Sequence, residues 1–166
     1  MRAIDVRELL GRPGSSQRIT IDEPVPGLRT ELAAVPDDAT LAGDLLLESV
    51  IEGIYVTGTV AAPVTLRCAR CLKEFDRAFD VTLRELYVRE PGREDDYVLA
   101  DDLTLDPEPM VRDAVVLEMP FSPLCTPGCL GLCERCGGDR NLGECSCAER
   151  IDPRWAPLSG LEGFAD

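Results

Sequence analysis

The chain has 166 residues, 45% of them hydrophobic, yet it carries a formal net charge of −14. A chain of this length buries about two-thirds of its unfolded surface, and with four Phe, three Tyr and one Trp the core it builds has to be aliphatic. The acidic balance excludes general affinity for nucleic acid unless basic side chains gather in one place, and it favours basic partners.

No window approaches the run of roughly 18 apolar residues that a membrane span requires. The opening Met1-Arg2-Ala3-Ile4-Asp5-Val6-Arg7-Glu8 lacks the apolar stretch of a signal peptide. The expected location is therefore the cytoplasm, where thiols stay reduced and eight cysteines read as metal ligands rather than as four disulfides. Small ribosomal proteins are one class of basic partner in that compartment.

In chain order, residues 4–10 (IDVRELL) suggest a short helix cut off by Gly11, Pro13 and Gly14. Arg18-Ile19-Thr20-Ile21 reads as a short strand. The stretch from Glu23 to Asp38 holds three prolines and several acids, which predicts loop rather than core. Residues 45–60 predict two strands: Leu45, Leu47 and Ile51 alternate, Glu52-Gly53 turns, and Ile54, Val56, Gly58 and Val60 alternate again. Pro63 is expected to interrupt, with a third strand starting at Val64. Beyond Cys71, a fourth strand places Phe75, Phe79, Val81, Leu83 and Tyr87 on one face, with Arg77 polar among them. The third and fourth strands form an antiparallel hairpin with Cys68-Ala69-Arg70-Cys71 at its tip.

Residues 90–97 (EPGREDDY) read as an exposed connector. Asp106-Pro107-Glu108-Pro109 is a helix entry, with Asp as N-cap, proline in the first turn and Glu complementing the dipole. The helix is expected over about 107–119, with Met110, Ala114 and Leu117 on one face, and Pro120 and Pro123 stop it. The predicted fold is α+β: a mainly antiparallel sheet, one main helix and a metal-tied tail. Residues 1–166 are read as one domain, with a β-rich body over 1–120 and a cysteine-rich tail over 121–155.

The tail carries the chemistry. Cys68 and Cys71 are followed, after 53 residues, by Cys125, Cys129, Cys133, Cys136, Cys145 and Cys147. Zinc takes four soft ligands in a tetrahedron, and short C-x2–4-C turns deliver two from one loop. Gly128, Gly131, Gly137, Gly138 and Gly143 allow the backbone to fold tightly around the sulfurs. Eight cysteines divide into two sites of four, hence two Zn²⁺, although spacing alone does not say which pairs combine. Buried free cysteines do not explain six in 23 residues. A thioredoxin-like C-x-x-C needs a strand-to-helix junction rather than a hairpin tip. Four thiolates also suit an iron–sulfur cluster.

Nothing points to catalysis. The chain has no histidine, so the commonest general base is missing, and zinc held by four thiolates has no open position for water. No P-loop, dinucleotide fingerprint or nucleophile elbow occurs, and no small-molecule substrate is expected.

Two stretches carry a family resemblance. Gly58-Thr59-Val60 with Val64-Thr65-Leu66-Arg67-Cys68-Ala69-Arg70-Cys71-Leu72 resembles the YceD-like proteins, the large ribosomal RNA accumulation family. So does Cys129-Leu130-Gly131-Leu132-Cys133-Glu134-Arg135-Cys136-Gly137, followed by Asn141, Cys145-Ser146-Cys147 and Ile151-Asp152-Pro153-Arg154. Arg12-Pro13-Gly14-Ser15 is similar to actinobacterial members. The resemblance implies a role in accumulation of 23S ribosomal RNA and large-subunit assembly. It also implies the grouping of Cys68, Cys71, Cys125 and Cys129 at one site, which leaves Cys133, Cys136, Cys145 and Cys147 for a second. Arg140 stands where the family motif usually has leucine, which bears on packing beside the second site.

Residues 63–93 hold seven basic and five acidic side chains, the one basic window in an acidic protein. Arg67, Arg70, Lys73 and Arg77 crowd the hairpin tip, while Arg135, Arg140, Arg150 and Arg154 decorate the tail. They form either a patch for ribosomal RNA phosphates or neutralising partners for thiolates and carboxylates. No aromatic stacking platform for bases is visible. The functional expectation is a non-catalytic zinc factor that binds 23S rRNA or a basic large-subunit ribosomal protein. The alternatives are a redox-switched zinc holdase and a zinc-ribbon adaptor of the transcription machinery.

Overall fold

The computed structural model describes residues 1–147 and residue 154. Its centre is a meander of three antiparallel strands: β4 (Thr40–Ser49), β5 (Gly53–Arg67) and β6 (Glu74–Val88). Alternation sets the register. Leu41, Leu45 and Leu47 of β4, Ile54, Val56, Val60, Ala62, Val64 and Leu66 of β5, and Val81, Leu83 and Tyr87 of β6 all face one core. β2 (Ser16–Pro24) extends this sheet beside β4, and the two-residue β3 (Ala33–Ala34) pairs with β5 opposite Thr65 and Leu66. The fold is α+β, dominated by antiparallel strands, with one α-helix among the described residues.

Gly53 opens β5 for a steric reason. A Cβ there would lie 1.9 Å from the Tyr87 carbonyl oxygen, so no other residue fits at this crossing of backbones. Pro63 does not start a new strand, contrary to the sequence expectation. β5 runs through it unbroken, because β4 reaches only Ala61 and β3 begins at Thr65, leaving that edge of β5 without a strand partner at the proline.

One face of the sheet is covered by α1 (Glu108–Glu118) and by two irregular segments. Helical geometry begins at Pro107 (φ −77°, ψ −14°), and the Asp106 Oδ1 accepts a hydrogen bond from the Glu108 N–H at 2.9 Å. Met110, Val111, Val115 and Met119 are buried, whereas Leu117 is 82% exposed and does not share that face as expected. The helix turns its i, i+4 row of Val111, Val115 and Met119 inward, which puts position 117 on the far side.

Two other expectations are corrected. Residues 4–10 are not a helix: Ile4–Asp5 form β1, paired with β8 (Thr104–Leu105), and a single turn follows in which Leu9 and Leu10 both donate to the Val6 carbonyl. The segment from 23 to 38 is irregular apart from the end of β2 and the two-residue β3, yet it is core. Val25, Leu28, Ala33 and Val35 are all buried, because the prolines shape the backbone without preventing apolar side chains from turning inward. The connector ends in β7 (Tyr97–Val98), which pairs in parallel with Tyr87 and Val88 of β6 and stacks Tyr97 on Tyr87 at 5.3 Å. No described helix is long and apolar enough to cross a membrane.

Candidate metal centre

The hairpin between β5 and β6 ends in a tight loop that aims two sulfurs to one side. Cys68 N–H donates to the Lys73 carbonyl and Leu72 N–H to the Cys68 carbonyl, each at 2.9 Å. To close that loop Leu72 takes the left-handed conformation (φ 60°), which costs a side chain with a Cβ about 1–2 kcal/mol. The chain leaving α1 returns to this tip, where the Pro123 carbonyl accepts the Ala69 N–H at 2.8 Å. Cys125 and Cys129 are thereby placed against Cys68 and Cys71. The Cys68 and Cys129 Sγ atoms lie 3.7 Å apart, and those of Cys71 and Cys125 3.6 Å apart. Four thiolates around a metal at about 2.3 Å form a tetrahedron with edges of about 3.8 Å. Cys68, Cys71 and Cys129 are buried and make their own small apolar cluster with Phe75, Leu124 and Leu132.

A second quartet forms in the tail. Cys133 N–H donates to the Gly138 carbonyl at 2.9 Å and Gly137 N–H to the Cys133 carbonyl at 2.8 Å. Gly137 sits at φ +72°, which permits the turn. The Arg135 and Cys147 N–H groups point at the sulfurs of Cys133 and Cys145, each at 3.4 Å. In each quartet the four sulfurs lie within 4.8 Å of one another, so each is a soft, four-thiol set able to hold a metal ion. The quartets are Cys68, Cys71, Cys125, Cys129 and Cys133, Cys136, Cys145, Cys147, the grouping the family resemblance implies. They differ in cover: Cys136 and Cys147 are exposed to solvent.

The thiols within a quartet titrate unequally. Burial acts to raise Cys68, but the N–H groups of Cys125, Cys71 and Arg70 outweigh it and bring it down to about 6. The N–H groups of Cys136 and Arg135 bring Cys133 down to about 6 as well. The Lys73 N–H favours the Cys71 thiolate, yet burial and the sulfurs of Cys68, Cys125 and Cys129 push that thiol up to about 12. The sulfurs of Cys136, Cys145 and Cys133 push Cys147 up to about 12. In the first set Cys68 ionises readily while Cys71 and Cys125 resist a growing negative charge, and in the second Cys133 ionises readily while Cys145 and Cys147 resist it. A divalent cation at the centre removes that resistance.

The quartets are joined by residues that are not ligands. Asn141 lies between Cys136 and Cys145 in sequence, but its Nδ2 donates to the Cys129 sulfur of the other quartet at 3.5 Å. Its Oδ1 accepts the Leu130 N–H at 2.7 Å. Leu132 N–H donates to the Arg70 carbonyl at 3.0 Å, and the Arg70 guanidinium donates to the Cys129 carbonyl at 2.8 Å. In the sequence Asn141 stands out only as part of the tail motif. An amide among cysteines and glycines, able to donate to a thiolate, was the signal available.

The basic residues of the tip are partly engaged. Arg67 pairs with Glu74 across the hairpin at 3.1 Å, and the Arg77 guanidinium lies 5.8 Å from the Phe75 ring centre. The Arg70 guanidinium serves a carbonyl rather than a sulfur. Lys73 is exposed at the same tip. Arg135 is exposed within the second quartet, and Arg140 is exposed with its N–H on the Gly131 carbonyl at 3.0 Å, so its side chain replaces no buried leucine. Arg154 is exposed, and Arg150 with Ile151-Asp152-Pro153 lies outside the described residues. The structure therefore brings Arg67, Arg70, Lys73 and Arg77 to the end of the hairpin that carries the first quartet.

Comparison with known proteins covers this whole region. A family model described as large ribosomal RNA subunit accumulation protein YceD matches residues 56–162, which take in most of β5, all of β6, α1 and both quartets. An uncharacterized protein of Mycobacterium tuberculosis is 41% identical over 168 residues, covering 96% of this chain and 81% of its own. A Mycobacterium leprae protein is 36% identical over 166 residues, covering 95% of this chain and 76% of its own. A chloroplastic protein of Arabidopsis thaliana, named large ribosomal RNA subunit accumulation protein YCED homolog 1, is 28% identical over 141 residues, 65% of this chain and 44% of its own. No solved structure matches the chain. With the family's match running through more than half the chain and across all eight cysteines, the chain belongs to the YceD family of large ribosomal RNA subunit accumulation proteins.

Proposed function

We propose that the chain is a non-catalytic zinc protein of the cytoplasm that serves biogenesis of the large ribosomal subunit. Its body (residues 1–120) and its cysteine-rich tail (121–155) act as one domain, with Zn²⁺ held by Cys68, Cys71, Cys125 and Cys129 and a second Zn²⁺ by Cys133, Cys136, Cys145 and Cys147. The observation that carries the reading is the pair of four-sulfur sets inside a match to a family named for ribosomal RNA accumulation. Zinc suits both sets because four thiolates complete its tetrahedron and leave no position for water, which fits a structural rather than a catalytic metal. The partner is 23S rRNA or a basic large-subunit ribosomal protein, met at the metal-bearing end through Arg67, Arg70, Lys73, Arg77, Arg135 and Arg154. Eight thiolates with two Zn²⁺ take a formal charge of −14 to −18, which supports attraction to a basic protein.

Sedimentation of the tagged protein from growing cells, with sequencing of the RNA crosslinked to it, tests the role. Enrichment of 23S rRNA in fractions lighter than the mature subunit is expected, and charge reversal at Arg70 and Lys73 should reduce it if phosphates are the target. A protein that stays at the top of the gradient without ribosomal RNA or ribosomal protein would overturn the assembly role.

A further inference from the structure

β6 is a 15-residue strand that is paired on one side along its whole length and on the other only at Tyr87 and Val88. Among the described residues, Glu74 to Leu86 present no strand partner along that second edge. A row of unsatisfied N–H and C=O groups of this length is a template for another strand.

The side chains along this edge are arranged about one point. The core-side face of β6 reads Phe75, Arg77, Phe79, Val81, Leu83, Glu85, Tyr87. Arg77 and Glu85 lie opposite buried Val64 and Val56 of β5, yet both are exposed. Among the described residues neither has an ion-pair partner, while Phe75 and Phe79 pack on the core and remain half-buried. Arg77 is four residues before Val81 and Glu85 four after it. Phe79 and Leu83 are two before and two after.

We propose that two copies of this chain join along the free edges of β6, antiparallel about a two-fold axis at Val81. This register puts Arg77 of each copy opposite Glu85 of the other, Phe79 opposite Leu83, and Val81 on the axis beside its twin. A closed two-fold pairing of this kind uses the same patch on both subunits. The neighbouring registers fail on charge. An axis at Asp80 sets two aspartates against each other and Arg77 against Leu83, and an axis at Thr82 sets Glu85 against Phe79. A register one residue off would pair core-side positions with solvent-side ones. Pairing can run from Asp76 to Leu86 before β7 occupies the edge. The two hairpin tips, each with its cysteine quartet, then stand at opposite ends of one continuous sheet, about 45 Å apart along the strand direction.

The inference does not rest on the ribosomal role, although it takes Arg77 out of the partner surface and into the dimer seam, and sedimentation equilibrium of the full, metal-loaded chain tests it. The wild type should be dimeric. Arg77→Glu alone and Glu85→Arg alone set like charges opposite each other twice per dimer, so each should raise the dimer Kd by at least about tenfold. Both residues are exposed, so each variant keeps its monomer fold, checked by circular dichroism. The double variant R77E/E85R restores both pairs and should dimerise as the wild type does. A mixture of the two single variants should form a heterodimer that neither forms alone. A wild type that remains monomeric across the concentration range, or single variants that dimerise unimpaired, overturns the proposal and leaves Arg77 and Glu85 as charges that keep the edge unpaired.

Discussion

The two cysteine quartets have the same ligands and opposite settings. The first is made by elements far apart in sequence, the β5–β6 tip and the chain after α1, and three of its four cysteines are buried. The second is made within 15 residues of tail, Cys133 to Cys147, and half of its cysteines are exposed. Identical donor sets can therefore differ in what they do for the fold. The first closes a loop of more than 50 residues, so whatever it binds stabilises the body as well as the site. The second orders only itself and leans on the first through Asn141 and the Leu132–Arg70 contact.

That difference can be broken in stages. The largest effect is expected from Cys68→Ser. It should abolish metal at the first quartet, lower metal content at the second through the lost anchor, and reduce body stability by several kcal/mol, on the scale of structural zinc sites. Metal analysis by mass spectrometry, paired with thermal unfolding, measures both. Cys136→Ser should instead cost one metal equivalent of two and leave the unfolding midpoint of the body within a few degrees of wild type. Equal losses from the two variants would erase the distinction.

Asn141→Leu is smaller and sharper. It removes the N–H···S bond to Cys129 and the acceptor for Leu130 while keeping every ligand. Loss of such an outer partner costs roughly 10–100-fold in metal affinity, read by chelator competition at the first quartet. An unchanged affinity there would show that the quartets are neighbours without coupling. The smallest effect belongs to Leu72→Gly, which relieves the left-handed strain. A gain in stability of up to about 1 kcal/mol is expected, offset in part by the unfolded-state freedom of glycine, with metal stoichiometry unchanged. Chemical denaturation of the metal-loaded protein provides the number.

Much of the site was readable in the residues. Cysteine count and glycine-rich spacing point to soft ligands in sets of four, and the structure gathers the eight thiols into two sets able to hold a metal ion. The hairpin tip was legible from period-two alternation on either side of Cys68 and Cys71, and the α1 entry from Asp106-Pro107-Glu108. The role of Asn141 was not legible. Its partner Cys129 lies 12 residues away across a fold-back that no local pattern encodes.

The sequence by itself determined the strand alternation, the helix start and the ligand chemistry, since each depends on side-chain type and short-range spacing. Tertiary structure alone decided the rest. β5 passes through Pro63 because its edge neighbours stop short of it, Leu117 is exposed because α1 turns Val111 and Val115 to the sheet, and the proline-rich segment after β2 is core because Val25, Leu28 and Val35 find an apolar face to cover. Sequence leaves Arg67 and Arg70 open between a phosphate patch and neutralising partners, and the fold sets Arg67 on Glu74 and Arg70 on the Cys129 carbonyl. In each case the outcome rests on which distant backbone or side chain lies opposite, and local sequence carries no record of that.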